Sequence, residues 1–261
     1  MNGSFRLVAG VSIVALAVAA CGSSSRSGSA GPASTAPASS TSTSVTATTD
    51  PSYHPTIDPA KFTTRITNPY FPLTPGRTLV YDGTRDGQPQ HDEVVVTTKI
   101  RTVMGVRCVV VEDTVTSNGA LVEKTSDWYA QARNGDVWYF GEDTKEYENG
   151  AVSSTHGTWE AGVDGAQPGV VMRGRPRVGD KYRQEYRPGE AEDRGQVLRI
   201  DAALKVPAGR YGNAVLTLDS DPLNPSKNDN KWYAQGVGLV KSARVAAGHR
   251  EVVALVEVRA G

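Results

Sequence analysis

Acidic side chains in this 261-residue chain fall in three short groups that could run proton-transfer chemistry: Glu142 with Asp143, Glu160 with Asp164, and Glu190 with Glu192 and Asp193. Two carboxyl groups whose surroundings push their pKa values apart can act as general acid and general base, as in glycoside hydrolysis. Glu160 and Asp164 lie in segment 156–169, a Gly-rich connection that also carries Trp159. Long connections in compact domains tend to be functional or disordered, and a tryptophan argues against disorder. A hydrolase working through Glu160 and Asp164 is therefore one reading of the chain.

The rings of Trp128, Trp138, Tyr139, Phe140, Trp159, Trp232 and Tyr233 support a second reading, a binding surface. Aromatic rings stack on sugars or line apolar cavities. Residues 137–140 put rings on both faces of an expected strand, so at least one ring should meet water. Asp219, Asp221, Asn224, Asn228, Asp229 and Asn230 offer hard oxygens on one loop, but their spacing does not match a calcium-binding EF-hand. The four histidines show no short ligand spacing, so no metal is assigned and no cofactor is implied. Cys108, between Val106 and Val110, reads as a buried, inert thiol. No Gly-x-Ser-x-Gly or Cys-x-x-Cys pattern is present. With 28 basic and 28 acidic residues, charge gives no reason to expect nucleic acid as a partner.

The N-terminus carries an address. Arg6 precedes an apolar run over 7–18 that has the length of a signal-peptide core and is too short to span a bilayer. The run ends in Val18-Ala19-Ala20-Cys21, which resembles the bacterial lipobox. That resemblance implies cleavage after residue 20 and lipidation of Cys21 with fatty acyl chains such as palmitate, making the mature protein a membrane-anchored lipoprotein of the cell envelope, on the extracytoplasmic side. Residues 22–52 are almost entirely Ser, Thr, Ala, Gly and Pro. Such a segment buries too little apolar surface to offset its ordering entropy, and as a flexible coil it would reach roughly 30 Å. The expected organisation is thus a signal peptide over 1–20, a lipidated linker over 21–52 and one β-rich domain over 53–261.

Hairpin signals dominate that domain. Asn-Gly recurs at 118–119, 134–135 and 149–150, each pair flanked by β-formers, and supplies the two positive φ values of a type I′ turn. These pairs predict an antiparallel meander over 106–116, 121–132, 137–147 and 151–154, with earlier strands over 78–81 and 93–100. Later strands are expected over 197–205, 214–218, 231–235, 236–240 and 251–259, with a turn at Ala247-Gly248 between the last two. In 181–187 the Lys, Arg and Glu residues alternate with Tyr182, Gln184 and Tyr186, which predicts a solvated charged face. Before the strands, 53–67 should form an irregular lead with one short helical turn, and 68–73 an extended segment laid over the edge of the core.

The tetrapeptide Trp-Tyr-Ala-Gln at 128–131 returns at 232–235, and aligning the copies sets Gly76 near Gly179, Gly105 on Gly209, and Val110-Val111 on Ala214-Val215. The expected fold is all-β with very little helix: antiparallel meanders in a curved sheet, sandwich or half-barrel, with a possible pseudo-duplication. The stretch 127–143 and the closing Trp-Tyr-Ala-x-Gly-Val-Gly motif at 232–238 resemble secreted bacterial β-rich proteins, a likeness that implies fold and compartment but no activity. The leading functional expectation is a non-enzymatic binding or envelope-structural module for a lipid, glycan or protein partner.

Overall fold

The computed structural model describes residues 53–224, 226–245 and 251–261. The signal peptide, Cys21, the linker and the expected turn at 247–248 lie outside them. The strands are Phe62–Thr63 (β1), Thr78–Arg85 (β2), Gln88–Val103 (β3), Val106–Ser117 (β4), Ala120–Ala132 (β5), Val137–Glu148 (β6), Ala151–Ser154 (β7), Trp159–Glu160 (β8), Gln167–Met172 (β9), Lys181–Arg183 (β10), Glu185–Tyr186 (β11), Arg194–Val206 (β12), Gly209–Ser220 (β13), Asp229–Ala234 (β14), Gly238–Arg244 (β15) and Glu251–Arg259 (β16). The helix among the described residues is one 3-10 turn, Pro59–Lys61, capped by Asp58. All-β architecture is therefore as expected, and the early strands run longer than their β-branched centres predict.

Turn chemistry explains the meander. Asn118-Gly119 and Asn149-Gly150 both take two positive φ values, as a type I′ turn requires. Asn134-Gly135 does not: only Gly135 is left-handed, and Asn134 instead accepts the Asp136 N–H on its side-chain oxygen within a wider loop. Two further paired positive-φ turns, Asp86-Gly87 and Met104-Gly105, complete the early hairpins. Met104 is not a residue that sequence rules place in the left-handed region, so the β3–β4 turn carried little signal.

The sheet runs in the order β10-β12-β13-β14-β15-β16-β2-β3-β4-β5-β6-β9-β11, so the last strand pairs with the first long one. Because β10 and β11 are consecutive in the chain and lie at opposite ends of this order, residues 181–186 bring the sheet back on itself as a nearly closed barrel. This corrects the expectation of a solvated charged face for 181–187. Arg183 and Glu185 are buried along with Tyr182, Gln184 and Tyr186, since both faces are covered where the segment bridges two sheet edges, and of the charged residues only Lys181 is exposed. Gly169 on β9 makes the approach possible: a Cβ there would sit 2.3 Å from the carbonyl carbon and oxygen of Gln184. Gly169→Ala should cost about 3 kcal/mol, at the high end for overpacking. Denaturant melts would measure the loss, and amide exchange should speed up in 181–186 while the β2–β16 ladder keeps its protection.

The duplication is visible in the hydrogen bonds. Gly76 N–H donates to Val96 O and Val96 N–H to Arg77 O; Gly179 N–H donates to Val197 O and Val197 N–H to Asp180 O. Tyr129 and Tyr233 occupy matching places, and both approach Phe71, which belongs to the core with Ile66 and Leu73. The residue alignment needs a correction. Val109 faces Tyr129 whereas Val215 faces Tyr233, so Val109 and not Val111 is the counterpart of Val215. Irregularities in the β12–β13 pairing absorb the two-residue slip.

Candidate functional site

The two halves meet twice, and the junctions differ. At one, β16 and β2 are zipped over Thr78–Arg85 in an antiparallel ladder. At the other, β9 and β10 are not paired with each other; β10 bonds to β12 and β11 to β9. A cleft of about 610 Å³ opens at this unzipped seam. Tyr53, Trp138 and Tyr182 supply its aromatic walls, Val170 and Leu218 its aliphatic ones, and Arg173, Lys181, Arg183 and Arg194 its charge.

Each wall has a local cause. Tyr53 is held across the seam by its hydroxyl, which donates to Pro168 O at 2.9 Å, and by an edge-on contact with Tyr186. Burial pushes that hydroxyl up to about 12, which keeps it protonated and donating. Gly195 stands opposite Tyr182, where a Cβ would come within 2.5 Å of the ring, so the ring lies flat against bare backbone. The Arg183 guanidinium lies 4.5 Å from the Tyr186 ring centroid and 5.4 Å from that of Tyr53. Arg173 is anchored by Asp136 at 3.1 Å.

Of the aromatic residues picked from sequence, Trp138 lines this cleft, and it is the half-buried ring expected on strand 137–140. Tyr139, Phe140 and Tyr233 are fully buried, Tyr139 stacked on Tyr129 and Phe140 edge-on to Phe62. Trp232 is half-buried and lies under Lys241, 5.2 Å from its ring centroid. Trp128 and Trp159 wall a second cleft of about 340 Å³ together with Glu160 and Asp164. The segment chosen from sequence thus does border a concavity. Its carboxylates, however, are ion-paired: Glu160 accepts from Arg101, which also covers the Trp128 ring at 4.0 Å, and Asp164 lies 3.6 Å from Arg187. Glu142 and Asp143 belong to strand β6, within the strand predicted over 137–147, and Glu142 is buried.

Polar groups are buried alongside the hydrophobic core: Tyr81, Tyr129, Tyr139 and Tyr233, and the carboxyl groups of Asp92, Asp113, Glu123 and Asp127. Burial, and then the neighbouring Asp113 carboxylate, hold Asp92 well above the usual carboxylate range. Burial likewise raises Asp127 to about 7, partly offset by the Tyr139 hydroxyl, which donates to it at 2.6 Å. Cys108 is fully buried and pushed up to about 12 by that burial, as befits an inert thiol. The oxygens once considered for calcium face protein cations: Asp219 meets Lys231, Asp221 lies 3.9 Å from Lys227, and Asp229 pairs with Arg244. Among the described residues, no three His, Cys, Asp or Glu side chains converge as a metal site would need.

Sequence reasoning missed Tyr53, Tyr182 and the four cations of the seam. A signal was present in the crowding of Arg173, Arg175, Arg177, Lys181, Arg183 and Arg187. Alternation alone assigned part of that run to solvent.

No protein-family model matches the chain, and no curated protein does. A crystal structure described as a "putative lipoprotein" from Parabacteroides distasonis aligns over 73% of this chain and 98% of its own, with 14% identity and a TM-score of 0.39.

Proposed function

We propose that this chain is a lipid-anchored, extracytoplasmic binding module that holds a partly apolar ligand in the seam cleft. The observation that carries this reading is the asymmetry of the two junctions. One copy of the interface is zipped by a full ladder, while the other leaves a concavity of about 610 Å³ walled by Tyr53, Trp138 and Tyr182. That volume is in the range of small-molecule pockets, and a few charged groups on an otherwise aromatic wall are how such pockets fix orientation. The Val18-Ala19-Ala20-Cys21 motif and the Ser/Thr-rich segment after it support the anchor. The hydrolase reading has less behind it, because Glu160 and Asp164 each lie against an arginine as structural ion pairs do.

Native mass spectrometry of the full-length protein extracted from membranes in mild detergent tests both halves of the proposal. The expected spectrum shows a diacylglyceryl-type mass on Cys21, lost in Cys21→Ser, and a retained small molecule. Trp138→Ala should reduce that occupancy about tenfold, the usual scale for truncating an aromatic anchor. Glu160→Gln with Asp164→Asn should leave it unchanged. Occupancy that ignores Trp138→Ala would overturn the seam as the binding site.

A further inference from the structure

We propose that the seam cleft recognises a phosphoryl anion carried on an apolar body. This rests on the cleft being the binding site. Its lining includes Arg173, Lys181, Arg183 and Arg194 and not one Asp or Glu, in a chain whose acidic and basic residues are equal in number. The cleft lining is therefore cationic, with Asp136 and Glu192 standing behind two of its arginines.

The arrangement is also held against repulsion. Arg183 and Arg194 stand directly opposite each other across β10 and β12, a placement that destabilises a sheet when nothing of opposite sign lies between. Arg183 has Glu192 at 3.9 Å and Arg173 has Asp136, but Lys181 and Arg194 make no ion pair among the described residues. An anion seated between them would relieve the repulsion and gain several charge-assisted hydrogen bonds. Arg183 lies against two tyrosine rings and beside Glu192, so it adds a fixed positive charge to the cleft wall. A phosphoryl group, with up to two charges and three acceptor oxygens, matches several converging cations better than a single carboxylate does. The aromatic side of the cleft, Trp138 and Tyr53, suits an attached acyl or ring body.

The rings beside the cations favour a lipid as the source, since Tyr53, Trp138 and Tyr182 wall the same cleft and offer an apolar surface to acyl chains. A membrane-facing anionic headgroup and a soluble phosphate ester share the recognised chemistry, and the experiment separates them. Calorimetric titration of the full-length protein in a non-ionic detergent would compare dihexanoyl phosphatidic acid, dihexanoyl glycerol and glycerol 3-phosphate. The first carries both features, the second lacks the phosphoryl group, and the third lacks the apolar body.

Phosphatidic acid should bind at least tenfold more tightly than either of the others, and its affinity should fall steeply with salt. Lys181→Gln with Arg194→Gln, both at exposed positions and so expected not to lower the melting temperature, should weaken phosphatidic acid at least tenfold without affecting dihexanoyl glycerol. Glycerol 3-phosphate binding as tightly as phosphatidic acid would support the anion site and overturn the lipid as its source. Dihexanoyl glycerol binding as tightly, with no effect of the double variant, would overturn the phosphoryl inference and leave the cleft reading standing. If none of the three binds, the phosphoryl inference is overturned, and the cleft reading is decided separately by ligand retention in Trp138→Ala.

Discussion

Acidification from pH 8 to pH 5 is expected to raise the melting temperature of this protein, by about 5–10 °C, where many proteins gain nothing or lose. Asp127 is buried and its carboxyl is pushed up to about 7, against an ordinary value near 4 in the unfolded chain. Between those two values the folded state binds more protons than the unfolded one, so stability falls as pH rises. The contribution is fully present below about pH 4 and is lost as pH climbs through about 7. Three pKa units correspond to about 4 kcal/mol at most, and a domain of this size shifts by about 2–4 °C per kcal/mol. Glu146 and Glu251 are raised in the same direction, each chiefly by burial, so they add to the slope. Asp92 is also raised well above the usual carboxylate range, by burial and then by Asp113. Scanning calorimetry across the range is the measurement. Asp127→Asn keeps an oxygen to accept the Tyr139 hydroxyl but removes the titration, so the rise should shrink by at least half and the variant should be the more stable protein at pH 8. A melting temperature that drops on acidification would show that the interior carboxyl groups are ionised.

Lys231→Met should be the most damaging single change to the barrel wall, costing about 3–5 kcal/mol, the scale for stranding one member of a buried ion pair. Lys231 is 1% exposed, and its Nζ lies 2.8 Å from Asp219 Oδ2. The same carboxylate accepts Gln184 Nε2 at 3.0 Å and the Thr217 hydroxyl at 2.7 Å. Gln184 is the residue between β10 and β11, so Asp219 ties the pivot of the seam to the β13 wall, and Lys231 neutralises the tie. Without the ammonium group the carboxylate is a buried charge held only by neutral donors. Urea titration should show the loss. Lys231→Met combined with Asp219→Asn should recover most of it, since no charge is then left stranded. If the double variant is as unstable as the single one, the loss comes from packing of the lysine stem.

The strand pattern, two of the three Asn-Gly hairpins and the internal repeat were all legible in the sequence, because each is encoded locally. Alternation, β-branching and paired left-handed turn residues act over a few positions and need no partner elsewhere. The Met104-Gly105 turn and the wider Asn134-Gly135 loop departed from those rules, since pairing of the flanking strands settled the turn conformation. The segment 156–169 was correctly placed beside a concavity, although the arginines that neutralise its carboxylates come from β4's neighbour β3 and from the loop after β11.

What the tertiary structure alone decided is where the sheet closes and what closure buries. Period-two alternation says which side chains share a face, but not whether that face meets water, and residues 182–186 obey the alternation while being buried on both faces. Nor does it say that one copy of a repeated interface is zipped while the other is bridged by residues 182–186, packed closely on Gly169. The four cations of the seam come from stretches of chain that are joined only when β9 and β12 are brought to the same edge. Strands and turns follow from short-range sterics and side-chain pattern; the cleft follows from the failure of two distant edges to pair, which no local rule contains.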